Sequence, residues 1–357
     1  MLREEIINHR TKNSNSLDNI AVTSWNRVDY TYKARESYTL EQVAKVENTG
    51  AVVKEISFEN IVADDRFSLD GYLNELNRTF VNSGYFVEST KENGIVRISY
   101  NAELNNPHII DYNLIKVNER EKLALILDYN SVEDIKALRN SIIKIELAES
   151  AELELVVIQR LGLDADSFAQ VVIDQAAYSK VKQYFIDLGA FGIGTSNKIY
   201  LGESATAETY SIYLADGERK VDLEFSNFHK GRRSQSIIEG RGIAKDKAKK
   251  VFRGNLKFER GSSKSVGKES EYAILLSKDV KASSIPTLKC DEDDVVGEHA
   301  ASAGQIDKDK LFYLTSRGLN PKEAERLIVL SSFKPVLEKI GDKELEKVIL
   351  EEIERRV

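Results

Sequence analysis

The chain has 357 residues, with 51 Lys and Arg against 58 Asp and Glu and a formal net charge of −7. That balance lacks the basic surface that nucleic-acid binding needs, and no apolar run reaches the roughly 18 residues of a membrane span, so neither is expected as a partner. A single cysteine, Cys290, excludes an internal disulfide framework and cannot supply the four thiolates of a common iron–sulfur site.

The amino terminus, MLREEIINHR, is charged and has no apolar leader core, so the cytoplasm is the expected compartment. Residues 1–93 read as a mixed region. The only tryptophan, Trp25, lies in the aromatic segment SWNRVDYTY, where a packing role is expected. Val52 to Ile61 alternates loosely, as a strand does. Leu69, Tyr72, Leu73, Leu76 and Phe80 fall at helical spacing and predict an amphipathic helix.

From residue 94 to 303 the text changes to short segments rich in β-branched and aromatic residues, among them ILDY, IIKIEL, ELELVVI, AQVVID, QYFIDL, YSIYL and VDLEF. Between them small residues recur with acids, as in AESAEL at 148–153 and GESATAE at 202–208. That pattern suits a solenoid, whose corners need small side chains where coils stack. An antiparallel sandwich fits the strand lengths equally well, and the uneven intervals give no coil length.

From Asp307 the pattern is helical. Gly318 suits a helix end, and Asn320, Pro321 and Glu323 form the start of the next helix, with cap, first-turn proline and capping box. Leu327, Leu330, Val336, Leu337 and Ile340 give it an apolar side. Asp342 caps a last helix with Leu345, Val348, Ile349 and Ile353 on one stripe, and Arg355 and Arg356 in its final turn.

Little of this carries chemistry by itself. The glycine-rich Gly189 to Gly194 is followed by a strand rather than a helix, so it reads as a turn and not as a phosphate loop, and no Walker lysine motif is present. The acids Asp291, Glu292, Asp293 and Asp294 beside Cys290 read as a solvated turn, with a divalent-metal site as the sharper alternative; Cys290 is expected to be buried and inert. The histidines His9, His108, His229 and His299 show no metal-binding spacing. His299 sits among the small residues Gly297, Ala300 and Ala301, and taken alone a lone histidine reads as structural.

The run Glu298-His299-Ala300-Ala301-Ser302-Ala303-Gly304-Gln305-Ile306-Asp307, followed by Leu311-Phe312-Tyr313-Leu314 and Ser316-Arg317-Gly318, resembles the carboxy-terminal signature of the SufB/SufD family, scaffold proteins of the Suf iron–sulfur cluster assembly system, and most resembles the SufD branch. LGESA (201–205), YLADGE (213–218) with Asp222 and His229, and Gly242, Ala248, Phe252 and Gly254 resemble core motifs of the same branch.

The resemblance implies a mainly β chain: a right-handed parallel β-helix core over 94–303, a mixed N-terminal region over 1–93 and a C-terminal α-helical domain over 304–357. It implies a non-catalytic subunit that pairs with a SufB-like scaffold through the β-helix end near residues 270–303. It also implies docking of a SufC-like ABC ATPase on the helices after Asp307, for which Phe312, Tyr313, Arg317, Leu327 and Phe333 are the candidates. One face of those helices is expected to pack on the β-helix end. His299 matches the histidine associated with cluster assembly at the subunit interface, and is the candidate iron ligand; Ala300 stands where SufB has a glutamate. Glu298, Asp293 and Asp294 are the candidates to orient its ring. No cofactor is expected to be held stably by this chain alone. An iron–sulfur cluster would be present transiently in the complex, and ATP would act only through the partner ATPase. The competing readings are a lyase-like β-helix enzyme acting on carbohydrate and a free-standing homodimeric structural protein.

Overall fold

From Tyr85 to Gly304 strand follows strand with short turns between, and the strands sort alternately into two sheets. The computed structural model describes residues 22–25, 30–33, 38–39, 42–61, 64–67, 69, 71–132 and 134–357. One sheet holds β6 (Gly94–Ala102), β8 (Lys122–Ser131), β10 (Glu152–Arg160), β12 (Lys180–Asp187), β14 (Thr206–Ala215), β16 (Gln235–Ala244), β18 (Val266–Leu275) and β21 (Val296–Gly304). The other holds β5 (Tyr85–Ser89), β7 (His108–Val117), β9 (Leu138–Leu147), β11 (Asp166–Gln175), β13 (Gly192–Leu201), β15 (Lys220–His229), β17 (Lys249–Phe258), β19 (Lys281–Ser284) and β20 (Thr287–Cys290). Neighbours within each of these two sets are parallel, so the chain winds as a β-solenoid with one strand per sheet in each coil. Two further strands, β3 (Lys45–Thr49) and β4 (Ala51–Glu55), join antiparallel at the amino end, one on each sheet. A separate hairpin pairs β1 (Val22–Trp25) with β2 (Tyr30–Lys33). The packing expected for the Trp25 side chain lies outside the described residues, as does His9.

The coils are uneven. Asp166 pairs with Gly192, 26 residues on, whereas Lys249 pairs with Lys281, 32 residues on. The constant feature is the corner. Arg120, Ser150, Tyr178, Ser204, Arg233 and Lys264 each precede a strand of the even-numbered sheet and each adopt a left-handed conformation, with φ between 53° and 62°. Such a residue costs roughly 1–2 kcal/mol. The cost is offset because its N–H, turned along the solenoid axis, donates to a carbonyl of the next coil: Ser150 to Ala177, Tyr178 to Glu203, Ser204 to Arg232. The following residue is small and buried in most coils, as in Ala151, Ser179, Ala205, Ser234 and Ser265, so the backbones can approach closely.

Alternate residues of both sheets fill the lumen. Leu125, Leu155, Val157, Phe185, Leu223, Phe225 and Phe252 are fully or nearly fully buried there, with Phe185, Phe225 and Phe252 in aromatic contact. Two glycines make space for larger neighbours. A Cβ on Gly242 would lie within the Tyr213 ring, which runs along the axis from β14 across β16, and a Cβ on Gly254 would collide with the Glu269 side chain.

The outer faces are covered by helices. On the odd-numbered sheet lies α1 (Gly71–Phe80), which packs Tyr72, Leu73 and Leu76 on Ile110, Leu138 and Phe168. Asn77 donates from its side chain to the carbonyls of Asp111 and Asn140. On the even-numbered sheet lie α3 (Pro321–Ile340) and α4 (Lys343–Glu354), preceded by α2 (Lys308–Ser316). The capping box Asn320–Glu323 and the Asp342 cap are formed as the sequence predicts. Val329, Phe333, Val336, Leu337, Ile349 and Ile353 bury themselves on Val156, Tyr184, Ile186, Tyr210 and Ile212. These helices therefore pack on a side of the solenoid, not on its end as expected, because the outward residues of β10, β12 and β14 form the larger apolar surface. Among the described residues no helix is long and apolar enough to cross a membrane.

Replacing Gly242 by alanine is expected to drive the Tyr213 ring from its place and destabilise the chain by roughly 1–3 kcal/mol. Urea unfolding measures this, and an unchanged midpoint would contradict the described packing.

Candidate functional site

The two ends of the solenoid differ. At the amino end β3 and β4 are five residues long and carry Lys45, Glu47, Lys54 and Glu55. Short charged strands discourage further pairing. At the other end one sheet finishes in β21, nine residues long, which pairs with β18 along its length on one side. On its other side no strand lies among the described residues. Its sequence, VGEHAASAG, is rich in small residues, and all but Gly297 are exposed. Leu288 and Ile285 add exposed apolar surface beside it. A long, flat, weakly charged edge is the geometry that accepts a strand from another chain.

His299 stands in the middle of this edge. In the parallel ladder it is in register with Glu269, which is in register with Ile238 and, further back, Thr209 and Gln183. That row faces the lumen, so His299 is the exposed end of an interior row. Below it lies a polar group built from four strands. The Lys250 ammonium pairs with the Glu271 carboxylate with both side chains fully buried, Tyr213 donates to Glu271 Oε1 at 2.6 Å, and Lys250 also donates to Ser284 at 3.2 Å. Glu269 is 4% exposed, and neither its Oε2 nor that of Glu271 has a hydrogen-bond partner. Burial, and then the charge of Glu271, pushes the Glu269 carboxyl up to about 7. Burial pushes Lys250 down, against the pull of Glu271.

The residues expected to orient His299 are elsewhere. Glu298 points to the opposite face and pairs with Lys268 at 3.0 Å. Asp294 accepts from Ser263 Oγ at 2.9 Å in the preceding corner, and Asp293 is exposed beside it. Alternation along the strand separates 298 from 299 by a full face. Cys290, expected to be buried, is exposed on β20, because the last coil has no coil beyond it to cover it. Among the described residues no group of three or more His, Cys, Asp or Glu side chains could hold a metal ion.

Of the docking candidates, Phe312 and Tyr313 on α2 are 74% and 56% exposed, and Leu327 on α3 is 48% exposed. Arg317 is exposed, with its guanidinium over the Tyr313 ring, 5.3 Å from the centroid. Phe333 is fully buried against the sheet and offers no surface to a partner; its place on α3 turns it inward with Val329, Val336 and Leu337. His108 and His229 are structural in setting. His108 is buried and accepts from the Thr39 N–H at 3.1 Å. His229 is fully buried, bonded to Ser234 at 2.7 Å and Ser236 at 2.8 Å and stacked on Phe258. Gly189 sits in a corner and Gly192 and Gly194 begin and continue β13, so the glycine-rich stretch is a turn.

The model of the SUF system FeS cluster assembly SufBD core domain matches residues 99–332. The chain belongs to the SufB/SufD family. It is 27% identical over 294 residues to the iron–sulfur cluster assembly protein SufD of Bacillus subtilis, a match covering 80% of this chain and 67% of that one. The SufD of Plasmodium berghei is 23% identical over 266 residues, 74% of this chain and 19% of the larger protein. A SufBD family protein of Staphylococcus saprophyticus is 30% identical over 139 residues, 39% of this chain and 30% of that one. Within the family the chain is most like SufD.

Sequence reasoning passed over Glu269, Glu271, Lys250 and Tyr213. The signal was present in KESEY, where charges on both faces break the polar–apolar alternation of a strand covered on one side only.

Burial holds the His229 ring down to about 4, below its ordinary 6.5. The folded state therefore binds fewer protons than the unfolded one between those values. Stability that is fully present above pH 6.5 is lost as pH falls toward 4, by roughly 2–3 kcal/mol. Urea unfolding between pH 7.5 and 4 measures it, and His229→Gln is expected to flatten that part of the profile.

Proposed function

We propose that this chain is a SufD-like, non-catalytic subunit of a Suf iron–sulfur cluster assembly complex, joined to a SufB-like scaffold through the open edge at β21. The observation that carries the reading is that edge: nine unprotected residues bearing His299 at their centre, in a family whose members bear the name of that assembly system. The iron–sulfur cluster is cargo here. A single exposed imidazole cannot hold it, so most ligands come from the partner and His299 supplies one from this side, as a ligand or a base near one. In isolation the same edge is open to a second copy of the chain. A carbohydrate-acting enzyme is disfavoured, since helices cover much of both outer faces of the solenoid.

The SufC-like ATPase docks on the exposed aromatic surface of α2 with Leu327 of α3, while Phe333 and its neighbours hold α3 to the sheet. ATP is bound and hydrolysed by that partner alone.

His299→Ala is expected to leave the thermal midpoint of the isolated chain unchanged and to cut cluster formation by the reconstituted complex to a small residual yield. A normal cluster yield would remove His299 from the site. Phe312→Asp with Tyr313→Asp is expected to end co-purification with the ATPase at an unchanged thermal midpoint; undiminished binding would place the docking surface elsewhere.

A further inference from the structure

Glu269 is placed oddly for a residue with only a structural task. It projects into the lumen one strand below the open edge, in a space that exists because residue 254 is glycine. It is 4% exposed, its Oε2 has no partner, and the cation beside it, Lys250, is committed to Glu271 and Ser284. A buried carboxyl without a full set of partners destabilises a fold, and a glutamine or leucine would fill the same space at lower cost. The row it belongs to supplies a reason for its presence. Register partners on adjacent parallel strands are about 4.8 Å apart and share a face, and the next residue in this row is His299.

We propose that Glu269 is the positioning residue for His299: its carboxyl accepts a hydrogen bond from the imidazole when a partner covers the open end, and so fixes the ring's orientation and tautomer. This rests on the reading of His299 as an interface residue of the assembly complex. An imidazole that must present one nitrogen to a reacting centre needs an acceptor at the other. The groups facing Glu269 are Glu271 from its own strand and Lys250 from β17; His299 stands beside it on β21. Covering the end removes water from His299 and leaves this carboxyl as the acceptor nearest in the row.

The test is a double-mutant cycle on cluster yield in the reconstituted complex, using Glu269→Gln, His299→Ala and the pair, with thermal midpoints of each full chain. Glutamine keeps the volume and removes the ionisable acceptor. Cluster yield is expected to fall at least several-fold for Glu269→Gln, and the double variant to be no worse than His299→Ala alone, because the glutamate acts only through the imidazole. Additive losses would overturn the proposal, as would a full yield from Glu269→Gln. An unaffected His299→Ala complex would overturn the interface reading as well, so the two failures are distinguishable. Glu269→Asp, whose shorter arm withdraws the carboxyl from the row, supplies the control if glutamine perturbs folding: partial yield with a native thermal midpoint supports a positioning role, and full yield opposes it.

Discussion

The solenoid depends on one repeated contact, the corner residue held in the left-handed conformation so that its N–H reaches the next coil. From Arg120 to Lys264 it recurs before each strand of one sheet, and it keeps the coils in register while their lengths vary. Because of that registration, side chains form straight rows through the lumen, and a residue in one coil is placed by its neighbour in the next. Each coil is stabilised only by those adjacent to it. The terminal coil therefore lacks half of its partners, and how the chain treats each end becomes the main functional question. The amino end is finished by two short charged strands of reversed direction. The carboxy end is left as β21.

Charge inside the lumen is not distributed evenly. One buried group lies in the early coils, where Asp111 accepts from Tyr129 at 2.8 Å and from Ser141, with Arg139 stacked over the Tyr129 ring. Asp187, facing Arg139 and Arg219, is buried in the coils that follow. A further group, Lys250 with Glu269 and Glu271, lies one coil from the open end. Buried ion pairs contribute little net stability, since desolvation opposes their attraction. The group near the open end is thus better understood through what it stands beside, the exposed imidazole of His299 and the edge that carries it.

Much of this was legible in the sequence. Short β-branched strands and small corner residues pointed to stacked coils, and the caps at Asn320 and Asp342 fixed the helix starts. The glycines at 242 and 254 were visible as motif positions, but not their purpose, which is to admit Tyr213 and Glu269 from other coils. Sequence spacing also placed Glu298 next to His299, where strand alternation puts the two on opposite faces. Phe333 read as surplus apolar surface because nothing local reveals that α3 lies along the sheet rather than at its end. Cys290 read as buried because the chain does not announce that the solenoid stops there. Apart from Glu298, where alternation along one strand decides, these misses concern a neighbour in another coil or element, which nothing local in the sequence supplies.

The central claim is that β21 is the surface on which the assembly partner is built. Hydrogen–deuterium exchange of the chain, alone and with a SufB-like protein, tests it directly. The claim predicts that amides of residues 296–304 slow markedly on complex formation, while those of α1 and of β3 and β4 keep their rates. A stable complex in which β21 exchanges as fast as in the free chain would contradict it.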